Sequence, residues 1–104
     1  MAQLNESTTL GNKTLRNRNF NYAADAGSND TYVISLDPAP TAYFAGMEII
    51  FKANTANTDA CTINVNSLGA KSIKKAVSTD LSTNDILAGM LVKVCYDGTN
   101  FQLI

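Results

Sequence analysis

The acidic residues are the first candidates for chemistry in this chain, because the chain has no histidine. Without an imidazole, neither a Ser-His-Asp nor a Cys-His arrangement can be assembled. Two carboxylates could meet in space and cleave a glycosidic bond, but no spacing in the sequence marks such a pair. Most of the acids stand beside Gly, Pro, Asn or Ser, where turn formation accounts for them. We therefore expect a protein that is not an enzyme.

Metal and phosphate sites are equally poorly supported. The stretch "DAGSND", residues 25–30, has oxygen ligands at alternate positions. It lacks the spacing and the bidentate acid of a calcium loop, so a plain turn is favoured. No Gly-rich phosphate loop occurs, and the one basic pair, Lys74 and Lys75, is too small an electrostatic footprint for nucleic acid. The sequence predicts no cofactor, no metal and no nucleic-acid partner.

The two cysteines, Cys61 and Cys95, are predicted to be reduced thiols that pack as small hydrophobic side chains. Neither belongs to a CxxC pair, and a zinc site would need further ligands. Cys61 shares a strand face with Ile63 and Val65, whereas Cys95 alternates with its neighbours and points the other way. A disulfide between the two is the alternative, which a secretory context would favour.

Composition indicates a single domain that packs against neighbours. The chain has 104 residues and a net charge of -1, with only 16% charged residues against 45% hydrophobic ones. The alternative interpretation of the low charge is a solvent-exposed surface that is polar but uncharged and rich in Asn and Thr. No apolar run approaches the roughly 18–20 residues of a membrane span, and the N-terminus lacks the order of a secretory signal. We expect a protein that stays in the cytoplasm or is assembled there into something larger, without membrane insertion.

Residues 1–24 are predicted to form an extended attachment arm. Their apolar residues follow neither the period of a helix face nor that of a strand. A disordered terminus is the alternative, although such tails rarely carry this many large apolar side chains. We expect the arm to order only against another subunit, through a basic cluster and scattered apolar anchors: Leu4, Leu10, Lys13, Leu15, Arg16, Arg18 and Phe20.

Residues 25–104 are predicted to form a small antiparallel β-sandwich or barrel-like domain of about six strands. Six short runs alternate apolar and polar residues between turn signals: "TYVISL", "MEIIFK", "CTINV", "KSIKKAV", "VKVCY" and "FQLI". Their inward faces are predicted to be Tyr32, Ile34, Leu36, Met47, Ile49, Phe51, Ile63, Val65, Ile73, Val77, Val92, Val94, Phe101 and Leu103.

The last hairpin has two registers that keep apolar residues opposite one another. A tight Asp97-Gly98 turn would place Tyr96 opposite Thr99. A loop over residues 97–100 would instead pair Tyr96 with Phe101. Both keep the inward face intact, so the sequence leaves the choice open.

Two other connections carry local signals. The loop after Val65 must have an odd length to keep Ile73 on the same face, and Gly69 can supply a positive φ there. The connection over residues 76–89 holds either a short helical turn capped by Ser82 or Thr83, or only turns.

The sequence resembles a module of tail-fibre and other virion proteins of tailed bacteriophages. The resemblance covers residues 22–104, and four runs carry it: Asp25 to Pro40, "FKANTANT" (Phe51 to Thr58), "INVNSLGAKSIKK" (Ile63 to Lys75) and the closing "YDGTNFQL". It implies a non-enzymatic β-structured building block, often in symmetric oligomers. The "KANTANT" run is then scaffold, with Asn and Thr side chains that satisfy turn and edge backbone groups.

The function that the resemblance implies is a virion structural subunit, assembled in the host cytoplasm. Because a single module cannot make a long fibre, we expect a small accessory subunit, of decoration or fibre type, anchored to capsid or tail proteins by its arm. A homotrimer is favoured. Outer-face apolar residues in a chain poor in charge predict the subunit interface, namely Val33, Ile50, Leu68 and Leu91.

A receptor-binding module that contacts a host-surface glycan is the alternative function. Sugar sites usually combine exposed aromatic rings with amide and acid groups. Tyr43, Phe44 and Asn100 are the candidates for such a site. Ordered, symmetric contact of copies on a particle would favour the structural function, and copies that project with a free loop end would favour glycan binding.

Overall fold

Eight strands in one sheet make up the regular structure of residues 21–104, the part of the chain that this computed structural model describes. The predicted arm anchors, all at or before Phe20, lie outside this range. No helix occurs in the described range, so the predicted all-β class is confirmed. The strands are β1 (Tyr22–Ala24), β2 (Thr31–Ile34), β3 (Glu48–Lys52), β4 (Cys61–Val65), β5 (Ala70–Lys75), β6 (Thr79–Asp80), β7 (Leu91–Tyr96) and β8 (Phe101–Leu103).

The sheet curls into a nearly closed barrel. Its strand order is β1-β3-β7-β8-β5-β4-β2, with β6 added beside β5. The two end strands, β1 and β2, approach each other at a seam, where the Ala26 amide donates a hydrogen bond of 2.8 Å to the Val33 carbonyl. The sheet is mixed, because β1 and β3, β2 and β4, and β5 and β8 pair in parallel. The predicted antiparallel arrangement is therefore wrong for these three pairs, because alternation along a strand does not specify the direction of its neighbour.

The core occupies the barrel interior and follows the predicted inward faces. Tyr32, Phe51 and Phe101 are its largest fully buried side chains. Two loop residues, Leu81 and Ile86, complete it, although they lie outside every strand with an alternating pattern. Nearly all of the predicted inward residues are buried. Leu103 is only partly buried and packs against the same cluster.

Val77 is the exception, and its predicted inward position is wrong, because 75% of it is exposed. The chain reverses between β5 and β6 through Ala76 and Val77, whose φ angles are 47° and 73°. The Ser78 amide donates to the Ala76 carbonyl at 2.9 Å, which closes a γ-turn centred on Val77. The turn ends the alternation two residues early and turns Val77 to solvent.

The connections settle the alternatives that the sequence left open. Tyr96 pairs with Phe101, so the last hairpin has the longer loop, over residues 97–100. Asn64 pairs with Ala70, which gives the predicted odd loop, and Gly69 has the predicted positive φ, of 119°. Residues 82–90 form turns, so the helical interpretation is wrong. Strand β1 occupies the last three residues of the range assigned to the arm.

Candidate functional site

The strand directions divide the barrel surface into two ends. At the first, the arm end, lie Asn21, the β2-β3 connection, the β4-β5 turn and the 97–100 loop. At the second, the far end, lie residues 25–30, 53–60 and 76–90. The polar residues that could do chemistry are concentrated at the far end, and apolar residues line a groove at the arm end.

Asp25 is a buried carboxylate at the seam of the barrel. Its Oδ1 accepts from the backbone amides of Gly27 and Val33 at 2.8 and 2.9 Å, and its Oδ2 accepts from the Asn54 amide at 3.1 Å. The Asn54 side chain returns two hydrogen bonds, to the carbonyls of Asp25 and Gly27. Since these bonds occupy both carboxylate oxygens, Asp25 holds the edge strands together and is not placed to act on a substrate.

Asn57 is fully buried and joins two far-end loops. Its Nδ2 donates to the carbonyls of Asp59 and Ser82 at 3.0 and 2.9 Å, and its Oδ1 accepts from the Ile86 amide at 2.8 Å. Its backbone pairs with Ile86 and Asn84 as well. A buried amide whose bonds are all made inside the protein is a structural element. The side chain fixes the long connection 76–90 against the Asn-Thr run.

Asp30 makes a third internal link, from the β1-β2 turn to the Asn-Thr run. Its carboxylate accepts from the Thr58 hydroxyl at 2.6 Å and from the Thr58 amide at 2.8 Å. These hydrogen bonds, the side-chain one first, hold the pKa of Asp30 below its ordinary value, because they favour the charged form. Asn and Thr side chains in "KANTANT" therefore satisfy backbone and loop groups, as the sequence predicts for a scaffold.

Several further acids in the described part of the chain are held by local hydrogen bonds or ion pairs. Within residues 21–104, no cluster of cysteine and carboxylate side chains is placed to hold a metal ion. Asp97 and Asp85 make their bonds within a turn and an ion pair, whereas Asp25 and Asp30 bond across the fold. Asp97 caps its own loop, through the Thr99 and Asn100 amides. Asp85 pairs with Lys75 at 2.7 Å, and that bond is the main cause of its lowered pKa.

Two of the candidate glycan residues, Tyr43 and Phe44, differ in exposure at the arm end. Tyr43 is half-buried: its hydroxyl donates to the Gly69 carbonyl at 2.6 Å and accepts from the Val65 amide at 3.0 Å. Its ring packs edge-on against Phe101, with the ring centroids 5.5 Å apart. Burial is the main cause of its raised pKa. Tyr43 therefore closes the arm end of the core, and only Phe44, which is 60% exposed, offers a free ring.

An apolar groove of about 400 Å³ lies beside Phe44. Leu36 and Met47 contribute to it from the edge of the core, each only 6% exposed. Asn21 and Glu48 provide its polar groups. The sequence did not predict this groove, because the irregular connection that carries Pro38, Pro40 and Phe44 shapes it.

The structure brings together two of the four predicted interface residues. Ile50 and Leu91 lie on the outer face of the neighbouring strands β3 and β7, where Ile50 pairs with Lys93 and Leu91 with Lys52. Val33 lies across the seam, on β2. Leu68 lies in the β4-β5 turn at the arm end, where its amide donates to the Val65 carbonyl. Both are only partly exposed.

Ile50 and Leu91 belong to a larger exposed apolar area on the outer face, which we call the outer patch. Tyr22 pairs with Ile50 on one side, and the Ile104 amide donates to the Lys93 carbonyl on the other. Leu91 is 64% exposed and Ile104 is 70% exposed. The outer patch thus spans β1, β3, β7 and the end of β8, and comprises Tyr22, Ile50, Leu91 and Ile104, with the stem of Lys93 among them.

Both cysteines are free thiols. Cys61 faces the core opposite Ile73, and Cys95 lies on the outer face between Glu48 and Gln102. The prediction that the two point to opposite faces is confirmed. Burial raises the pKa of Cys61 to about 12, which leaves it a poor nucleophile.

A comparison with known protein families finds no matching family, and a search of curated proteins finds no match to this chain. Among residues 21–104, no helix has the length and apolar character to cross a membrane. Function must therefore be inferred from the residues and their geometry.

Proposed function

We propose that this chain is a non-enzymatic structural subunit of a tailed-bacteriophage virion, a small accessory building block held to other virion proteins by its N-terminal arm. The sequence resemblance over residues 22–104 supplies the class. The all-β barrel is consistent with that class. The observation that carries the proposal is the use of polar groups: the acids and amides of the loops bind one another and the backbone instead of converging on a shared space.

The outer patch supports association of copies. Soluble monomers usually expose single apolar residues, whereas several on one sheet face favour an interface. On β3, Glu48 and Lys52 flank Ile50 at equal spacing on the same face. Two such faces packed with their β3 strands antiparallel would set Ile50 against Ile50 and each lysine against a glutamate. A trimer, favoured by the resemblance, would instead use the outer patch of one copy against another surface of the next.

Sedimentation of the full chain at micromolar concentration tests association. Ile50→Lys is the obvious variant, but Lys93 faces Ile50 within the same subunit, so two lysines would oppose each other and destabilise the fold itself. Ile50→Glu avoids this and still places a charge in the patch, which costs several kcal/mol if the charge is buried without a partner. Thr62→Glu, on the outer face of β4, is the matched control. A monomeric wild type would contradict the interface.

Attachment through the arm is tested by adding purified protein to particles that lack it. The full chain should bind to saturation, and a chain without residues 1–20 should not bind, although its circular dichroism spectrum should keep the β signature. Attachment of the shortened chain at full occupancy would show that the arm is not the anchor.

Glycan binding is the second candidate function, and the exposure of Phe44 beside Asn21 and Glu48 is the observation in its favour. An exposed ring next to an amide and a carboxylate is a combination that sugar sites use. A glycan array probed with the wild type and with Phe44→Ala would identify this function. Binding that disappears in the variant would support it.

A further inference from the structure

The groove at the arm end has an apolar wall and one carboxylate at its edge. Leu36, Met47 and the exposed ring of Phe44 form its apolar wall, and Pro38 and Pro40 hold the connection that carries them. Prolines fix the backbone and offer no amide donor, so this wall presents mainly carbon to a ligand.

Charge at the groove is negative. Glu48 lies at its edge, and its carboxylate is 3.8 Å from the Lys93 ammonium. Both side chains are about half exposed, so this pair is weak and leaves Glu48 able to bind a second cation. The arm carries Lys13, Arg16 and Arg18 with the apolar Leu15 among them, and Glu6 is its one acid. The arm and the groove are thus complementary in both charge and apolar character.

The position of Asn21 decides which arm can reach which groove. Asn21 lines the groove, and its carbonyl accepts from the Ile50 amide at 2.9 Å, so each arm begins at its own groove. An extended chain advances about 3.3–3.6 Å per residue, which places Leu15, six residues before Asn21, about 20 Å away. A cube of the groove's volume, about 400 Å³, has an edge of only about 7 Å. If residues 15–20 are extended, as the sequence predicts, Leu15 lies beyond its own groove and within reach of a neighbour's.

We propose that the groove is the docking site for residues 10–18 of a second copy of this chain, with Leu15 against Phe44 and Met47 and with Arg16 or Arg18 beside Glu48. This deepens the proposed function by naming a partner for the arm. It rests on association of copies and not on the virion. Residues 1–9, with Leu4, then stay available to reach another virion protein.

Paramagnetic relaxation in mixed oligomers of the full chain tests this directly. A nitroxide is attached through Thr14→Cys in a Cys95→Ser background, because buried Cys61 does not react. The labelled chain, without ¹⁵N, is refolded together with ¹⁵N chains that carry no label. The amides of Gly46, Met47 and Glu48 in the ¹⁵N chains should lose peak height severalfold. Amides of β6, at the far end, should keep theirs.

A charge reversal with a matched control separates the proposed contact from chance proximity. Glu48→Lys in the ¹⁵N chain should restore the groove peaks, and Asp59→Lys, the opposite-end control, should leave them broadened. Unchanged peaks in the unlabelled wild-type chain would overturn the proposal. A second sample contains ¹⁵N chain that carries the nitroxide, diluted into excess chain with neither label. Broadening of the groove peaks in that sample alone would show that each groove binds its own arm, and this result would also overturn the proposal. Sedimentation of the same samples tells loss of docking from loss of association.

Discussion

Replacing Asn57 by alanine should destabilise the fold more than any other single amide substitution at the far end. The change removes three side-chain hydrogen bonds, to the Asp59 and Ser82 carbonyls and from the Ile86 amide. Ile86 is fully buried, so its amide would be left without a partner, at a cost of about 1–3 kcal/mol. Asp59 and Ser82 are exposed, and their carbonyls can bind water instead. The sum is about 2–4 kcal/mol.

Such a loss is large for a domain of this size. Small domains unfold with a free energy of about 5–15 kcal/mol, and each kcal/mol corresponds to a Tm change of about 4–8 °C. Urea denaturation followed by circular dichroism, with calorimetry for Tm, measures it. Asn29→Ala is the matched control: Asn29 is exposed, donates to the Ala56 carbonyl and accepts from the Thr58 hydroxyl, and water can replace both bonds, so its loss should cost about 1 kcal/mol or less.

Asn57→Asp extends the test to the sign of a pH dependence. One carboxylate oxygen can still accept from the Ile86 amide, but the other would face the Asp59 and Ser82 carbonyls. That contact is favourable only when the carboxyl is protonated and donates to a carbonyl. Burial and these carbonyls should raise the folded-state pKa of the new carboxyl above its unfolded value. Relative to wild type at the same pH, the Asn57→Asp variant should then be less stable at pH 7 than at pH 4. An alanine variant within about 0.5 kcal/mol of wild type would refute the role assigned to Asn57.

Three further predictions concern other parts of the molecule. Val77→Gly should stabilise the chain by about 0.5–1 kcal/mol in urea titrations, since the γ-turn strain that it removes exceeds the entropy cost of glycine. Val77→Ala should change the stability little, and equal effects of the two variants would exclude strain. At pH 8 iodoacetamide should modify Cys95 first and Cys61 only after unfolding, because burial raises the pKa of Cys61 to about 12; a native mass two protons short would instead indicate a disulfide. Three carboxyls, those of Asp30, Asp85 and Asp97, have lowered folded-state pKa values, so their stabilising contribution is present above the unfolded value of about 4 and is lost as pH falls further; a urea midpoint equal at pH 7 and pH 3 would contradict this.

The sequence predicted the core well where period-2 alternation is strict. In "CTINV" each apolar residue is buried and each polar residue is only partly so, because the strand has one face inside the barrel. It failed at Val77, where the backbone leaves the strand conformation for a turn that β-branched residues rarely adopt. It also gave no sign of the buried Leu81 and Ile86, which Asn57 holds in place from a loop far away in sequence.

The candidate surfaces were predictable only in part. Alternation identified Ile50 and Leu91 as outer-face apolar residues, but pairing between strands decides which outer residues are neighbours. That pairing places Tyr22 and Ile104 with them and Val33 across the seam. The groove depends on the path of an irregular connection around Phe44, which no local pattern specifies. Asp25 looks like a turn residue in the sequence, and its long-range bond to Asn54 emerges only when the barrel closes.

The proposed role in a phage virion is tested most directly by the composition of particles purified from a lysate that contains this chain. Quantitative mass spectrometry should find this chain in a fixed copy number that matches the symmetry of one particle component. A cryo-electron microscopy map should then show the barrel in ordered contact with its neighbours. Washed particles that lack the chain altogether, in a preparation whose lysate contains it, would contradict a structural role in the virion.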